Sequence, residues 1–430
     1  WNAGGDPWSR AVWGVERGIG GVDAARDELL PYVGPAAALP LFGALARLPH
    51  PVAVRVWTAL LALATFALVL AVLALGGFAP AGLRRGPILL AALAFAVASG
   101  PGTSALALGQ IALLSVAGVA CTLWAFERRA IVPGTLATLV AAVQPNLALV
   151  LIARLRDRTA VVCTGLAIVA FALLTMWAGG GPSGTLAYAA RLVRHAHAER
   201  FVTIQYTPAA IAAAFGIADR VAVAIGYGCA IAAIVLTIAA TMRFRLTPRD
   251  GTLLAIAALP LALPFFHEHD FVLELIPLLL LALTTRGVAR GWAGVATAMI
   301  AVDWLGIAQR PTAAAQIVAL AAVVVCAFLV LGRGDRTIRA DLAPIVTLIA
   351  LFALTIPVAR AFPAPTWPDA LPANYRAAAG ADASAVWAGE QHAAGLDARV
   401  PAWGALRAIP LAGCIVLGVA IVLGRRQRPV

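Results

Sequence analysis

Apolar runs of 17 to 26 residues recur along nearly the whole chain, and no other feature restricts its fold so tightly. Each run is long enough to cross a hydrocarbon core of about 30 Å as a helix. Of the 430 residues, 62% are apolar and only 12% charged, against about a quarter charged in soluble domains. A water-soluble core of this size needs far more polar covering. The chain is therefore expected to be an all-α integral membrane protein. Its spanning helices are expected at roughly 51–76, 88–99, 105–125, 159–178, 221–241, 251–265, 271–284, 292–308, 313–331, 342–359 and 403–424, about eleven in all.

A net charge of +12 raises the question of nucleic acid. The positions of the cations answer it. All 32 basic residues are Arg, and they fall mostly in short gaps between the apolar runs. One set of gaps, about 55 residues, holds 18 of them, including Arg84, Arg85, Arg128, Arg129, Arg154, Arg243 and Arg425; the other, about 149 residues, holds 12. The Arg-rich set is expected to be cytoplasmic.

One segment breaks the alternation. Residues 131–153 have Arg on both sides and are interrupted by Gln144-Pro145-Asn146. Pro145 lacks a backbone donor and disfavours helix at Gln144, so a pair of half-helices is expected, covered by protein. The outer side then carries 1–50 as a first loop, 179–220 as a cap on a bundle of 51–359, and 360–402. Residues 403–430 supply a last helix and a cytoplasmic tail. This topology leads us to expect a further helix before Trp1. Within the cap, residues 186–201 have the pattern of an interfacial amphipathic helix.

The polar residues that could carry chemistry lie on the outer side. All six His residues do: His50, His195, His197, His267, His269 and His392. The densest group is His267-Glu268-His269-Asp270, followed by Glu274. It joins two expected helices of only about 22 Å each, with Pro260, Pro264 and Pro277 to kink them. Charged, irregular backbone at that depth must line a wet cavity, so a substrate pocket is expected; an interfacial turn reaching water is the plain alternative. Arg191, Arg194, His195, His197 and Arg200 form a basic patch suited to phosphate, from a lipid-linked substrate or from headgroups. Gln110 follows Gly109 in the outer half of the expected 105–125 helix and needs a polar partner. Asp303 lies near the outer end of another apolar run, within reach of Arg310. Cys121, Cys163, Cys229, Cys326 and Cys414 sit singly in apolar runs, with no metal-ligand spacing. An HxH with nearby carboxylates offers ligands, but its spacing is not diagnostic, and neither metal nor cofactor is assigned.

In order, these stretches resemble the GT-C glycosyltransferases, and most closely glycosyltransferase family 87, the bacterial polyprenol-phosphate-mannose-dependent mannosyltransferases. Gly4-Gly5-Asp6-Pro7-Trp8 resembles the family's GGxPY, and Pro31-Tyr32 through Pro40-Leu41 its YPPLFALLLLPL. Gly109-Gln110 to Leu114 resembles GQxxLL. Val143-Gln144-Pro145-Asn146 resembles IKPQP, with Gln144 where the family has Lys. Gln205 stands at the family's NQS, with Ile204 for its Asn. Phe266-His267-Glu268-His269-Asp270-Phe271-Val272 resembles SWDHYLV, which places His269 on the family's His and Glu268 on its Asp.

The resemblance implies a GT-C-like helical bundle of the bacterial cytoplasmic membrane, with its active site facing outward. It implies inverting transfer of a sugar, mannose by family, from a polyprenyl-phosphate donor to a lipid or glycan acceptor. Substrate contacts are then expected from His267, Glu268, His269, Asp270, Gln110, Gln205, Arg191, Arg194 and Arg200. The family's general base, an Asp of the first outer loop, falls upstream of Trp1; Asp6 is the acid nearest to it in this sequence. Two other readings use the same features: a transporter or flippase of a lipid-linked sugar, and a non-catalytic envelope-assembly protein. A transporter predicts internal pseudo-symmetry, and no repeat is evident.

Overall fold

The computed structural model describes residues 34–78, 86–332, 337–367, 369–378 and 381–425. The expectations for Gly4 to Trp8, Asp6 included, and for Pro31-Tyr32, Arg84 and Arg85 lie outside them. Among the described residues the regular structure is helical, apart from one isolated antiparallel bridge between Gln205 and His267.

Seven helices are long and apolar enough to cross a membrane singly: His50–Leu75, Arg158–Ala178, Asp219–Arg243, Gly287–Gln309, Pro311–Leu331, Ile338–Ala361 and Pro401–Gly424. Gly86–Ala98 and Gly100–Ala107 pass the same test as a pair, bent by 68°. The other expected spans appear as shorter apolar helices, Ala112–Glu127, Pro248–Ala262 and Leu275–Thr284. The chain is thus a polytopic helical membrane protein. The expected continuous helix over 105–125 is instead cut at Gly109-Gln110. Gly109 adopts φ +62°, a left-handed turn, and its carbonyl accepts from Trp57 Nε1 at 2.9 Å.

Burial sorts these helices by position. Within its most apolar stretch Asp219–Arg243 is 6% buried, so it faces lipid almost all round; Gly287–Gln309 is 78% buried and runs through the middle. The central helix packs on Pro401–Gly424 and Ile338–Ala361. Ala112–Glu127 lies against Ile131–Ala141 at a distance only glycine permits, because a Cβ on Gly118 would sit 2.4 Å from Ala141 N.

Three breaks interrupt these helices, and each is satisfied by protein. At the first, Ser99 Oγ accepts from Gly102 N at 3.2 Å, and Gly100 N donates to Ala301 O at 2.9 Å. The break at 99–100 therefore meets the one at 301–303 in the central helix. The third is at Gln144-Pro145, where the 131–153 segment divides as expected into Ile131–Ala141 and the short turns Pro145–Ala148 and Leu149–Arg154. Ser115 Oγ donates to the freed Ala141 carbonyl at 2.7 Å. Irregular backbone in an apolar phase survives only with such partners.

Candidate functional site

The His267–Asp270 polar group is built where Pro248–Ala262 ends. Leu263 turns extended before Pro264, and the chain re-enters a helix through a 3-10 segment, Glu268–Glu274. His267 is the N-cap of that segment, and its backbone N–H donates to Asp270 Oδ2 at 2.9 Å. Asp270 Oδ1 accepts from Gln144 Nε2 at 2.6 Å. Asp270 is fully buried, so both its oxygens are spent on holding the turn. Phe266 and Tyr206 pack edge-to-face on Phe271 beneath it.

Gln205 docks the cap onto this turn. Its Oε1 accepts from Phe266 N at 3.0 Å, and Tyr206 N donates to Phe266 O at 2.7 Å. With its oxygen thus fixed, the Gln205 amide points Nε2 at His267 Nε2, 3.1 Å away, and at Glu199 Oε2, 3.2 Å away. The imidazoles of His267 and His269 stack, with centroids 5.1 Å apart and planes inclined by 23°.

Two of the residues gathered here were not expected from the sequence. Glu199 ends the amphipathic helix Gly181–Ala198 and is 3% exposed. Its carboxylate meets Gln205, His195 and His267 and accepts from Trp387 and Gln391 of the helix Ala383–Ala393. The i, i+4 spacing of His195 and Glu199 was the legible signal. The second is Arg407, buried in Pro401–Gly424, which donates to the carbonyls of Gln205 at 2.8 Å and Val202 at 3.2 Å. A lone Arg in an apolar run gives no hint of which loop it holds.

The remaining expected residues are spread around this centre. Glu268 turns away from the histidines toward Asp303 and Ser104, and burial beside Asp303 pushes its carboxyl well above the ordinary range. Asp303 pairs with Arg310 at 3.0 Å, and a cleft lined by Thr103, Ser104, Asp303, Arg310 and Gln316 opens alongside. Gln110 lies in the turn before Ala112–Glu127, its N–H on Ala105 O. On the cap helix, Arg194 pairs with Asp382 at 3.4 Å, and both side chains are about half exposed. Arg191 and Arg200 are partly buried. Glu274 is fully buried, and neither of its carboxylate oxygens meets a donor among the described residues.

Donor atoms of His267, His269 and Asp270 lie within 4.8 Å of one another, a span a metal ion could bridge. The chemistry of the set argues otherwise. Both Asp270 oxygens already accept hydrogen bonds, and His267 Nε2 faces Glu199 Oε2 at 3.3 Å. The arrangement is a hydrogen-bonded network that presents imidazole edges and an amide.

No curated protein and no solved structure matches the chain. Residues 32–264, more than half of its 430, match the model of glycosyltransferase family 87, and the chain belongs to that family of membrane glycosyltransferases.

Proposed function

We propose that the protein moves mannose from a polyprenyl-phosphate donor to a hydroxyl of a lipid or glycan acceptor, with inversion, at the outer face of the bacterial cytoplasmic membrane. The observation that carries this reading is the stacked His267–His269 pair with Gln205, mounted where two short apolar helices meet. The acceptor oxygen forms a bond to the sugar's anomeric carbon as the bond from that carbon to phosphate breaks. The electron pair leaves on the phosphate oxygen. Preorganised donors aimed at that oxygen lower the barrier, and the two imidazoles are placed for this work. The acceptor's proton goes to a carboxylate of the first outer loop, the loop of Asp6.

Around this centre the other residues have separate tasks. Gln110 offers its amide to sugar hydroxyls, whereas Gln205, fully buried with both ends of its amide engaged, braces His267 instead. Asp270 fixes the histidine turn, and Glu268 backs Asp303 and Ser104, which line the adjoining cleft. Arg191 and Arg194 on the helix Gly181–Ala198, with Arg200 just past its end, meet the lipid phosphate at the interface. In this arrangement 179–220 and 360–402 are extracytoplasmic caps.

The test is transfer in membranes from cells expressing the full-length gene, with radiolabelled polyprenyl-phosphate mannose. Label should enter lipid or glycan and vanish in His269→Ala. Absence of transfer from this and other polyprenyl-phosphate sugars would sink the reading.

A further inference from the structure

Five donors converge on one buried carboxylate. Glu199 Oε1 takes Trp387 Nε1, Gln391 Nε2 at 3.4 Å and His195 Nε2 at 3.3 Å; Oε2 takes Gln205 Nε2 at 3.2 Å and His267 Nε2 at 3.3 Å. Burying a carboxylate costs several kcal/mol unless charge and hydrogen bonds answer it. Trp387, Gln391 and Gln205 supply only neutral donors. The compensating charge must come from an imidazole. His195 lies behind, on the same helix, at 5% exposure. Of the two imidazoles His267 is the one on the turn, where its ring stacks on His269.

We infer that Glu199 is a positioning residue for glycosyl transfer, which fixes the ring of His267 and holds it as the imidazolium facing the departing phosphate. The inference rests on the polyprenyl-phosphate reading above. Here the cap does more than cover the site, because its buried Glu199 sets the charge of a residue on another segment.

The charges around His267 agree with this assignment. Burial pulls its proton affinity down, but the Glu199 hydrogen bond and the charges of Glu199 and Asp270 outweigh it and raise the pKa above the ordinary value. Burial dominates at His269 and lowers it to about 4, with Asp270 and Glu199 opposing and His267 assisting. Burial also pushes Glu199 up, yet the hydrogen bonds from His195 and His267 hold it well below the carboxylate range. Of the other charged groups nearby, Arg407 is spent on carbonyls, and Glu268 faces Asp303. Of the stacked pair, His267 is therefore the ring that favours the proton. The proton that leaves the ring is the one on Nδ1, because Nε2–H is held by Glu199, so the neutral ring keeps its place and loses only its charge.

The experiment uses the full-length protein in phospholipid nanodiscs, with 15N-labelled histidine and titration of the His267 ring followed by NMR. In the wild type, its midpoint should lie above the ordinary 6.5. Glu199→Gln keeps the size of the side chain and removes the charge, and should lower that midpoint by about one pH unit or more. The alkaline limb of transfer from polyprenyl-phosphate mannose should shift downward with it, by a similar amount. A purely structural role would lower activity at every pH and leave the limb in place. An unchanged His267 midpoint in Glu199→Gln overturns the inference. Should that variant not accumulate, a wild-type midpoint at or below 6.5 overturns it equally. If the wild type transfers nothing, the donor reading falls, and the titration still decides what Glu199 does to His267.

Discussion

Gln144 donates a 2.6 Å hydrogen bond to Asp270 across 126 residues of sequence, joining the break in the 131–154 segment to the histidine turn. The family resemblance puts Lys where Gln144 stands, and an ammonium at this point would meet the same carboxylate. Gln144→Lys should therefore keep transfer activity. Gln144→Leu leaves a buried carboxylate oxygen without its donor, at a cost of about 1.5–3 kcal/mol. A lower melting temperature in detergent, with transfer reduced alongside, is the expected result; a Leu variant that melts with the wild type would break the link.

His269 is proposed to offer its ring to substrate, and among the described residues it makes no close side-chain hydrogen bond to the scaffold, being 3.8 Å from Asp270. His269→Ala should lower kcat by about 100-fold or more while insertion and melting change little. Arg194 on the cap helix should behave differently. Its Ala variant should weaken donor binding more than acceptor binding, read as a rise in donor KM. Unchanged donor affinity would assign the arginine to headgroups.

The two histidines give stability opposite dependences on pH. His269 has its folded-state pKa lowered to about 4. Its contribution is complete above about 6.5 and is lost as pH falls from there toward 4. The lost amount approaches about 3 kcal/mol at the pKa difference just given. His267 has a raised pKa, so its contribution is present below 6.5 and lost as pH rises through the folded value. His269→Gln should therefore gain on the wild type as pH falls from 6.5 to 4, in melting curves taken across that range. A constant difference would contradict the assignment.

Arg407 ties the C-terminal helix to the cap by donating to two backbone carbonyls from a fully buried position. Charge-assisted bonds of this kind contribute about 1.5–3 kcal/mol each. Arg407→Met should destabilise by several kcal/mol and open the 199–207 segment to proteolysis. Arg407→Lys, with a point charge in place of a fork, should recover only part of this.

Much of this architecture was legible in the sequence because membrane insertion reduces folding to a few strong signals. Run length located the long helices, and Pro145 and Pro264 marked two of the breaks. The breaks at 99–100 and 301–303 escaped notice: nothing but Ser99, Gly100 and Pro101 announces the first, and the two are defined by facing one another. The histidine turn was legible as a polar island between short helices. Its partners were less so. Gln205 was reached through family pattern, while Glu199, Trp387 and Gln391 come together only after the cap folds over the turn. Their relation is tertiary, across 188 and 192 residues, and leaves no local period to read.

The helix Asp219–Arg243 has 25 residues and so a length of about 37 Å, several ångströms more than the usual hydrocarbon core. Hardly any of its surface is held by neighbours. Excess length is relieved by tilting, and tilting this helix disturbs less packing than tilting the central one. Changes in bilayer thickness thus bear first on a rim helix whose main neighbour, Pro248–Ala262, leads into the histidine turn, which gives the surrounding lipid a short mechanical route to the site.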